Sequence, residues 1–431
     1  MRDSKRSRAG LTAAPIDSRR RGLLASLAGI SLAAGASEAA VASTDPAGAG
    51  SLDGSRADFA LTGSYLDGAF MHPISRASGE ALKRYVGARL MDPSAGTIDI
   101  GASRQRALAL FGAMVHAELD ELAWIPSTMA GENAVVRGLG LPGTRQRVVT
   151  DEYHFHGSLY LYSELAKQGL DVHVVRARNH RILLEDLEKA ITPQTRLVSL
   201  TLVSSVAGFE HDLKQVCEIA HGRGARVYAD IIQAAGNTPI DLHASGVDFA
   251  ACSTYKWLMG DFGLGFMYAS RKSQQALRRT QWGYRQIDHD VTHRLPFDSP
   301  GKSVADFTPR RDLGGRVEVG TLGNGAALAL EESLAYLQRL GVERIAEWRK
   351  PLIARLQQGM AELGYAPMTP AESNSPIVSF ACQGARDKLE AKLKAAGIEL
   401  TLYQNYLRVS LSFFNTLDDV ERLLDVLSLP A

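Results

Sequence analysis

Cysteine is scarce in this chain of 431 residues, which contains Cys217, Cys252 and Cys382 and no others. Their wide separation gives neither the paired spacing of a zinc site nor the dense pattern of a disulfide framework. The formal net charge is only +1, and the excess of basic residues lies in Met1–Ala42. The rest of the chain therefore lacks the basic surface that proteins use to bind nucleic acid.

The sequence also lacks an apolar run long enough to span a membrane comfortably. Leu23–Ala34 is short and rich in alanine; three arginines at 19–21 precede it, and Ala40-Val41-Ala42 follows as an A-x-A cleavage pattern. This order predicts a twin-arginine export signal over residues 1–42. A basic disordered tail is the alternative, although such a tail would not need the apolar run.

Such a signal implies that the twin-arginine export machinery is a partner of the chain. It also implies that the mature protein is periplasmic or secreted and keeps no stable membrane anchor. This route carries proteins that have already folded. Residues 43–58 are rich in Ala, Gly, Ser and Asp and are predicted to form a linker after the signal.

Short apolar runs alternate with amphipathic helical patterns between residues 59 and 320. The runs are Val148–Thr150, Val172–Val175, Leu197–Val203, Val227–Asp230, Phe249–Ser253 and Gly265–Tyr268. Strands that are apolar throughout and separated by helices predict an α/β domain with a mostly parallel sheet, covered on both faces. Ligands of such sheets bind at the carboxyl ends of the strands. Residues 321–431 have longer helical patterns and predict a smaller α+β domain.

The stretch Phe249–Ser270 is almost entirely apolar, small or glycine, yet it contains Lys256. Burial of an ammonium group is costly, so the pKa of a buried lysine falls and its neutral amine becomes nucleophilic. Such an amine can bond covalently to an aldehyde cofactor. The alternative is a lysine at a strand end whose ammonium group reaches water while its methylene groups are buried.

Three polar residues near Lys256 in the predicted sheet favour the cofactor. Asp230 ends the predicted strand VYAD, where its carboxylate can pair with a protonated pyridine nitrogen. A helix N-cap is the alternative role for this aspartate. Gln233 is a candidate for a hydrogen bond to the phenolic oxygen of the same cofactor, and Ser253 is a candidate for its phosphate.

A second candidate for phosphate binding is the segment PSTMAGEN at residues 126–133, which precedes the helical pattern AVVRGL. Small residues at a helix start leave backbone N–H groups free, and the helix dipole favours an anion there. Any capped helix has a similar pattern. The glycine-rich GLGLPG that follows does not come after a strand, so it is not a dinucleotide-binding fingerprint.

Together these motifs resemble the class V aminotransferases, which are pyridoxal-phosphate enzymes of fold type I and include cysteine desulfurases, isopenicillin N epimerase-like proteins and kynureninase relatives. The resemblance covers Ala60–Leu427. It implies a large domain with a mostly parallel, seven-stranded sheet, a smaller α+β domain, and a homodimer with its active site at the interface. It also implies pyridoxal 5'-phosphate as cofactor, a small-molecule amino acid or peptide as substrate, and no metal.

The resemblance assigns roles to individual residues through the motifs STMAGENAVV, TDEYHFHGS, LVSSVAG, VYADIIQAAG, CSTYKWLMG and VEVGTLGN. The catalytic residues that it implies are Lys256, Asp230 and His154, with Tyr153 as the rival of His154 for stacking on the pyridine ring. The cofactor-binding residues that it implies are Thr128, Met129, His154, Ser205, Asp230, Gln233, Ser253, Tyr255, Lys256 and Thr321.

Three of these assignments have particular features. Thr321 is expected to reach the phosphate of the partner subunit's cofactor. Ser205 stands where the family has asparagine, and Tyr255 stands where it has histidine, which puts those two contacts in question. The segment LRVSLSFFNTLDDVERLL resembles the family's C-terminal motif and makes Arg408 the residue that binds the substrate carboxylate, a task that suits a planar guanidinium.

Cysteine desulfurases need a nucleophilic cysteine on a loop before that arginine, but Glu399–Leu407 contains none. Cys382 lies in the strand-like SFAC and is more readily explained as a core residue. Desulfurase activity through a persulfide is therefore disfavoured. Transamination, the general activity that the resemblance implies, is the leading prediction, with epimerisation or a C–S or C–N lyase reaction as the alternative. A non-catalytic binding protein of the same fold is a further alternative, which the combination of Asp230, Gln233, Lys256 and Arg408 argues against.

The segment 282–315 is rich in turns and charged residues. It is predicted to form a mobile loop over the active site, with a metal site at His289 and His293 as the alternative. An exported enzyme of this kind is expected to modify a peptide, a siderophore precursor or an envelope metabolite rather than to serve central nitrogen metabolism.

Overall fold

A computed structural model of the chain describes residues 52–91, 98–143 and 146–429, which belong to one compact unit spanning residues 51–431. The predicted export signal and residues 43–51 of the predicted linker lie outside the described residues. The end of that linker is packed against the protein, because Asp53–Asp58 form a 3-10 helix and Arg56 pairs with Asp419 at 3.1 Å.

Strands and helices alternate along the chain as the sequence predicts. The strands are β1 (Ser64–Tyr65), β2 (Leu122–Ile125), β3 (Arg147–Asp151), β4 (Asp171–Val175), β5 (Thr195–Thr201), β6 (Arg226–Asp230), β7 (Phe249–Ser253), β8 (Gly265–Ala269), β9 (Ile287–Thr292), β10 (Ala305–Pro309), β11 (Ala366–Pro367), β12 (Ile377–Ala381), β13 (Ile398–Glu399), β14 (Thr401–Leu402) and β15 (Tyr406–Ser410). The helices are α1 (Arg76–Met91), α2 (Ile100–Val115), α3 (Thr128–Gly138), α4 (His156–Lys167), α5 (Leu184–Ala190), α6 (Leu213–Gly222), α7 (Leu242–Ser245), α8 (Arg271–Gln274), α9 (Gly314–Val317), α10 (Asn324–Leu340), α11 (Val342–Glu362), α12 (Ala385–Ala395) and α13 (Leu417–Ser428).

A seven-stranded sheet with the order β2-β8-β7-β6-β5-β3-β4 forms the centre of the fold. Strands β3 to β7 are parallel to one another, and β8 runs antiparallel to both β7 and β2. The prediction of a mostly parallel sheet is confirmed. The carboxyl ends of β5, β6 and β7 consequently meet at one edge of the sheet.

Both faces of this sheet are covered by apolar side chains. Alternate residues of β7 enter different cores: Ala250 and Cys252 belong to one apolar cluster, and Phe249 and Ala251 belong to another. Since successive side chains of a strand point to opposite faces, a strand buried on both faces must be apolar throughout. This explains why the continuous apolar runs of the sequence identified the sheet.

The C-terminal part contains a second, antiparallel sheet with the order β11-β12-β15-β14. It packs with α11, α12 and α13 around a separate apolar core that includes Leu356, Val378 and Leu407. The N-terminal segment returns to this region, because β1 pairs in parallel with β13. The predicted domain boundary at residue 320 falls between α9 and α10, and the division into two domains stays a prediction.

Strands β9 and β10 form an exposed antiparallel hairpin where the sequence predicts a mobile loop. His289 lies opposite Thr308, and Nε2 of His293 is 3.3 Å from the carboxylate of Asp306. Across the described ranges, no group of three or more His, Cys, Asp or Glu residues is arranged to hold a metal ion.

None of the helices described for this chain combines the length and the apolar character that a membrane span requires.

Candidate active site

The carboxyl end of the parallel sheet brings the predicted catalytic residues together. Asp230 is the last residue of β6 and lies in register with Thr201 of β5 and Ala251 of β7. Ser253 ends β7, and Lys256 follows three residues later. Parallel strands therefore place the carboxylate and the amine at the same edge of the sheet.

Lys256 is a buried amine, with only 8% of its surface exposed. Burial lowers its pKa to about 8; the negative charge of Asp230 opposes this shift, and the positive charge of Arg408 adds to it. Its Nζ lies 5.8 Å from the centre of the Tyr255 ring. Nζ makes no hydrogen bond or ion pair with any of the described residues. The amine therefore remains available for a covalent bond.

Asp230 is a buried carboxylate beside this amine and is 3% exposed. Its Oδ1 accepts a hydrogen bond of 2.9 Å from the backbone N–H of Ile232. Burial raises its pKa to about 6, against the opposing effects of His154, of this hydrogen bond and of Lys256. The group is therefore mainly ionised at neutral pH. A carboxylate and an amine whose pKa values are both shifted, and which interact electrostatically, are typical of functional sites.

A fully buried glutamate, Glu132 on α3, lies next to His154. Its Oε1 is 3.2 Å from Nε2 of His154 and accepts hydrogen bonds of 2.8 Å from Ser199 and from Tyr162. Its Oε2 accepts a hydrogen bond of 2.5 Å from Ser158. Both oxygens of the carboxylate are satisfied, so its burial is compatible with a stable fold.

The hydrogen bonds of His154 define where its proton lies. The backbone N–H of Phe155 donates to Nδ1 at 2.9 Å, which makes Nδ1 an acceptor and leaves the proton on Nε2, facing Glu132. Burial is the largest single effect and acts to lower the pKa of His154, but the charge and hydrogen bond of Glu132, together with the charges of Asp230 and Asp151, raise that pKa overall. The hydroxyl of Tyr153, the rival candidate for stacking on the ring, bonds to His180 instead.

Replacing Glu132 by leucine is expected to destabilise the protein by about 3 to 5 kcal/mol, because several buried donors would lose their acceptor. Urea unfolding of the purified variant measures this change. Exposed Glu390 on α12 provides the control, since Glu390→Gln is expected to change stability by less than about 0.5 kcal/mol. Equal losses of stability in the two variants would show that the buried carboxylate of Glu132 does not stabilise the fold.

The predicted phosphate-binding residues lie at the N-terminus of α3, next to the end of β7. The Thr128 N–H donates to Oγ of Ser253 at 2.8 Å, and the Ser253 N–H donates to Oγ1 of Thr128 at 2.9 Å. Ser127 caps the helix by accepting from Ala130 at 3.2 Å. Met129 follows in the first turn, where the helix dipole favours an anion.

Thr321 takes no part in the hydrogen bonds that join Ser253 to Thr128. It lines a cavity of about 470 Å³ together with Met129 and Asn133 of α3. Its position relative to a partner subunit stays a prediction.

Other predicted cofactor-binding residues have partners within the chain. Gln233 donates to the Ala69 carbonyl at 3.1 Å and accepts from the Trp257 indole at 2.9 Å. The Tyr255 ring stacks on Phe262 with centroids 4.3 Å apart. These contacts tie the segment around Lys256 to its surroundings.

Arg408 projects from β15 and is 3% exposed. Its Nη1 donates to the backbone carbonyl of Ser205 at 2.9 Å, and its Nη2 donates to Oγ1 of Thr401 at 3.0 Å. Its buried Nε has no hydrogen-bond partner in the part of the chain that the structure describes. The guanidinium thus retains a donor for a ligand, and its charge is felt at Lys256.

Two charged residues of this site are missed by the sequence analysis. Glu132 lies within the motif STMAGENAVV, and Asp67 lies within SYLDGAF, at 3.5 Å from Nη2 of Arg408. Both are acidic residues in mainly apolar or small-residue segments. The reasoning that identified Lys256 from its apolar surroundings applies equally to them.

Comparison with known proteins places this geometry in context. The family model "Aminotransferase class-V" matches residues 97–423. A probable cysteine desulfurase of Methanothermobacter thermautotrophicus is 30% identical over 288 residues, which cover 65% of this chain and 68% of that protein. The chain spans only 50% of the length of a cysteine desulfurase of Synechococcus elongatus, to which it is 26% identical.

The solved structures that resemble this chain establish its fold. The apo cysteine desulfurase of Thermococcus onnurineus NA1 has a TM-score of 0.74 at 23% identity, and the match covers 86% of this chain and 96% of that one. A lysine-to-alanine mutant of C-DES, with glycine covalently linked to its PLP cofactor, has a TM-score of 0.77 at 18% identity, with coverages of 87% and 99%. The fold is that of fold type I enzymes.

Proposed function

The chain belongs to the class V aminotransferase family, and from this premise we propose that it is a pyridoxal-phosphate-dependent enzyme acting on the amino group of an amino acid or an amino-acid-containing metabolite. Amino-group transfer is the favoured outcome. The observation that carries the proposal is the buried amine of Lys256, which has no hydrogen-bond partner among the described residues. The charges of Asp230 and Arg408 both act on its pKa.

Pyridoxal phosphate is the cofactor expected in this family, and the described residues fit it. Lys256 offers an amine for its aldehyde, Asp230 an anionic carboxylate for its ring nitrogen, and the start of α3 at Thr128 an anion site for its phosphate. When bound, the cofactor withdraws electrons from the carbon that carries the substrate's amino group.

The residues of the chain supply proton transfer and orientation. Lys256, with a pKa of about 8, can accept a proton from the substrate carbon and return one at neutral to mildly alkaline pH. Asp230 would hold a proton on the ring nitrogen by its negative charge, and His154 lies beside Asp230. The guanidinium of Arg408 can bind the substrate's carboxyl group.

The rate at which cofactor-free protein captures pyridoxal phosphate is expected to rise with pH and to level off above about 8. The reason is that only the neutral amine of Lys256 attacks an aldehyde, and the neutral form predominates above its lowered pKa. Stopped-flow absorbance at a series of pH values measures this rate. A rate that continues to rise toward 10.5, the pKa of an ordinary lysine, would contradict the assignment.

The positions of the cysteines argue against a persulfide mechanism. Cys382 packs on the apolar core of the C-terminal sheet, while Cys217 and Cys252 are buried and burial raises the pKa of both thiols. The strands β14 and β15 are joined by a turn at residues 403–405 that contains no cysteine. The desulfurase reaction named for the relatives is therefore not the leading proposal.

A C–S lyase reaction that needs no thiol of the protein is the second candidate. It is supported by the relatives, which are named cysteine desulfurases, and by a structure of the cystine C–S lyase C-DES with a TM-score of 0.75 at 19% identity. The rest of the proposed site serves both reactions equally, since both begin by loss of a proton from the same carbon.

Product analysis separates these reactions. Cofactor-loaded protein is incubated with a panel of amino acids and a 2-oxo acid acceptor, and the products are identified by mass spectrometry. Transfer of the amino group to the acceptor is the expected result. Sulfide or persulfide from cystine would favour the lyase, and inversion of the substrate without transfer would favour the epimerase; a complete lack of products would contradict catalysis.

We propose in addition that the protein is exported, that it is a homodimer in which Thr321 completes the partner's site, and that its substrate is a peptide or a siderophore precursor. The pattern of residues 1–42 supports export, and the absence of cysteine from Glu399–Leu407 supports a tailoring reaction. Cell fractionation with the arginines at 19–21 replaced by lysine tests export. If purified protein modified neither a siderophore precursor nor a peptide, the proposed substrate class would be wrong.

A further inference from the structure

Asp67 provides a negative charge beside Arg408 from a distant part of the chain. Its Oδ1 is 3.5 Å from Nη2 of Arg408 and accepts a hydrogen bond of 2.5 Å from Oγ1 of Thr401. The same Thr401 hydroxyl accepts from Nη2 of Arg408 at 3.0 Å. Asp67 is 6% exposed, so this group of three side chains is largely shielded from water.

The backbone fixes Asp67 at this place. Leu66 donates to the Glu399 carbonyl at 2.8 Å and accepts from Ser410 at 2.8 Å, while the Ala69 N–H donates to Oγ of Ser410 at 3.1 Å. Asp67 itself forms an isolated bridge with Ser410, two residues after Arg408 on β15. The carboxylate is therefore a fixed component of the site.

A buried guanidinium needs a counter-ion, because an unpaired buried charge costs several kcal/mol. When an arginine serves only to bind a substrate carboxylate, the substrate supplies that charge. Here Asp67 supplies it, and Nη1 is already bonded to the Ser205 carbonyl. The N–H of Nε has no partner among the described residues, and Nη1 and Nη2 each keep a second N–H, so the guanidinium can still donate to a neutral carbonyl oxygen.

We propose that Asp67 is a specificity-determining residue: by neutralising Arg408 internally, it lets the site accept amino compounds whose carboxyl group is a neutral amide, as in a peptide, as readily as free amino acids. The proposal rests on the proposed function, since it assumes that the substrate's carboxyl group lies at Arg408. A neutral carbonyl oxygen can accept from the guanidinium of Arg408 without leaving an ion unpaired. A free carboxylate gains less than usual, because Asp67 repels it.

The test compares alanine with alaninamide as ligands of the cofactor-loaded protein. Their dissociation constants are measured from the change in cofactor absorbance, with the protonation of each amine taken into account. For the wild-type protein we expect the two constants to agree within about threefold, because the charge of Arg408 is already compensated. In Asp67→Asn the preference for alanine is expected to increase roughly tenfold, because the uncompensated guanidinium then requires an anion.

Asparagine preserves the shape of Asp67 and can still accept from Thr401, so the substitution removes mainly the charge. Glu399→Gln is the matched control: Glu399 is an exposed carboxylate whose charge is felt at Asp67, but it does not touch Arg408, and its loss is expected to leave the preference unchanged. The wild-type comparison tests the proposal even if Asp67→Asn binds cofactor poorly.

Two results would overturn the proposal. One is a wild-type preference for alanine of more than about tenfold, which would show that the site demands a free carboxylate. The other is an unchanged preference for alanine over alaninamide in Asp67→Asn when both ligands alter the spectrum. This result would refute the role of Asp67 and leave the proposed function intact. Failure of the proposed function is distinguishable, because then neither ligand would alter the spectrum.

Discussion

Replacing Lys256 by alanine is expected to lower kcat by at least about 10³-fold, because the variant loses both its covalent link to the cofactor and its proton-transfer group. The fold should persist, since a methyl group in place of a buried amine removes an unpaired polar group from the interior. The measurement is kcat for the best amino donor, together with the circular dichroism of the variant. Addition of a small alkylamine is expected to restore part of the activity.

Lys272→Ala provides the control, since Lys272 is an exposed lysine on α8. This variant is expected to retain full activity. Comparable losses in the two variants, or nearly full activity in Lys256→Ala, would show that Lys256 is not the proton-transfer group. A colourless wild-type protein that remains colourless with added pyridoxal phosphate would favour the non-catalytic alternative.

Replacing Asp230 by asparagine is expected to lower kcat by about 10²- to 10³-fold, because the ring nitrogen loses the charge that keeps it protonated. The cofactor-free variant should at the same time be more stable than the wild type at neutral pH. The pKa of Asp230 is raised from 3.8 to about 6, so the folded wild type favours the neutral acid. Stability of the wild type therefore falls as the pH rises from about 3.8 to about 6, where the unfolded chain ionises first, whereas asparagine stays neutral.

The gain in stability is expected to be about 3 kcal/mol above pH 6, which is the free-energy equivalent of the raised pKa of Asp230. It should vanish below about pH 4, where both proteins are neutral at this position. Urea unfolding at acid and neutral pH measures the difference, with exposed Asp387→Asn on α12 as the control. A variant that is less stable than the wild type at neutral pH would contradict the burial of an ionised Asp230.

The central sheet could be predicted because its strands carry the signal of burial on both faces. The six predicted strands are all present, with bounds that differ by at most two residues. Lys256 and Asp230 could be predicted as neighbours because parallel strands place their carboxyl ends at one edge. The strand β2, Leu122–Ile125, is not among the predicted strands; it lies directly before Pro126, in a segment interpreted as the approach to a helix start.

The hairpin of β9 and β10 could not be predicted from the sequence. Its strand IDHDVT is mainly polar and exposed, so no apolar alternation marks it as a strand. Only the cross-strand register, such as Asp290 opposite Phe307, defines it. A sequence that shows charge and turns without apolar periodicity is read as a loop.

The remaining parts of the site depend on contacts between distant segments. Asp67 reaches Arg408 only because β1 pairs with β13, and sequence spacing contains no information about that pairing. Ser205 contributes its backbone carbonyl to Arg408, which a motif based on side chains cannot show. The amide of Gln233 is bonded to Ala69 and Trp257, so its role toward the cofactor stays a prediction.

The most direct test of the central claim is to load the protein with pyridoxal phosphate, reduce it with borohydride and map the modified peptides by mass spectrometry. The structure predicts one pyridoxyl group per chain, carried by Lys256, because its buried amine is the neutral nucleophile of the site. Modification confined to other lysines, or no stoichiometric adduct at all, would contradict the account.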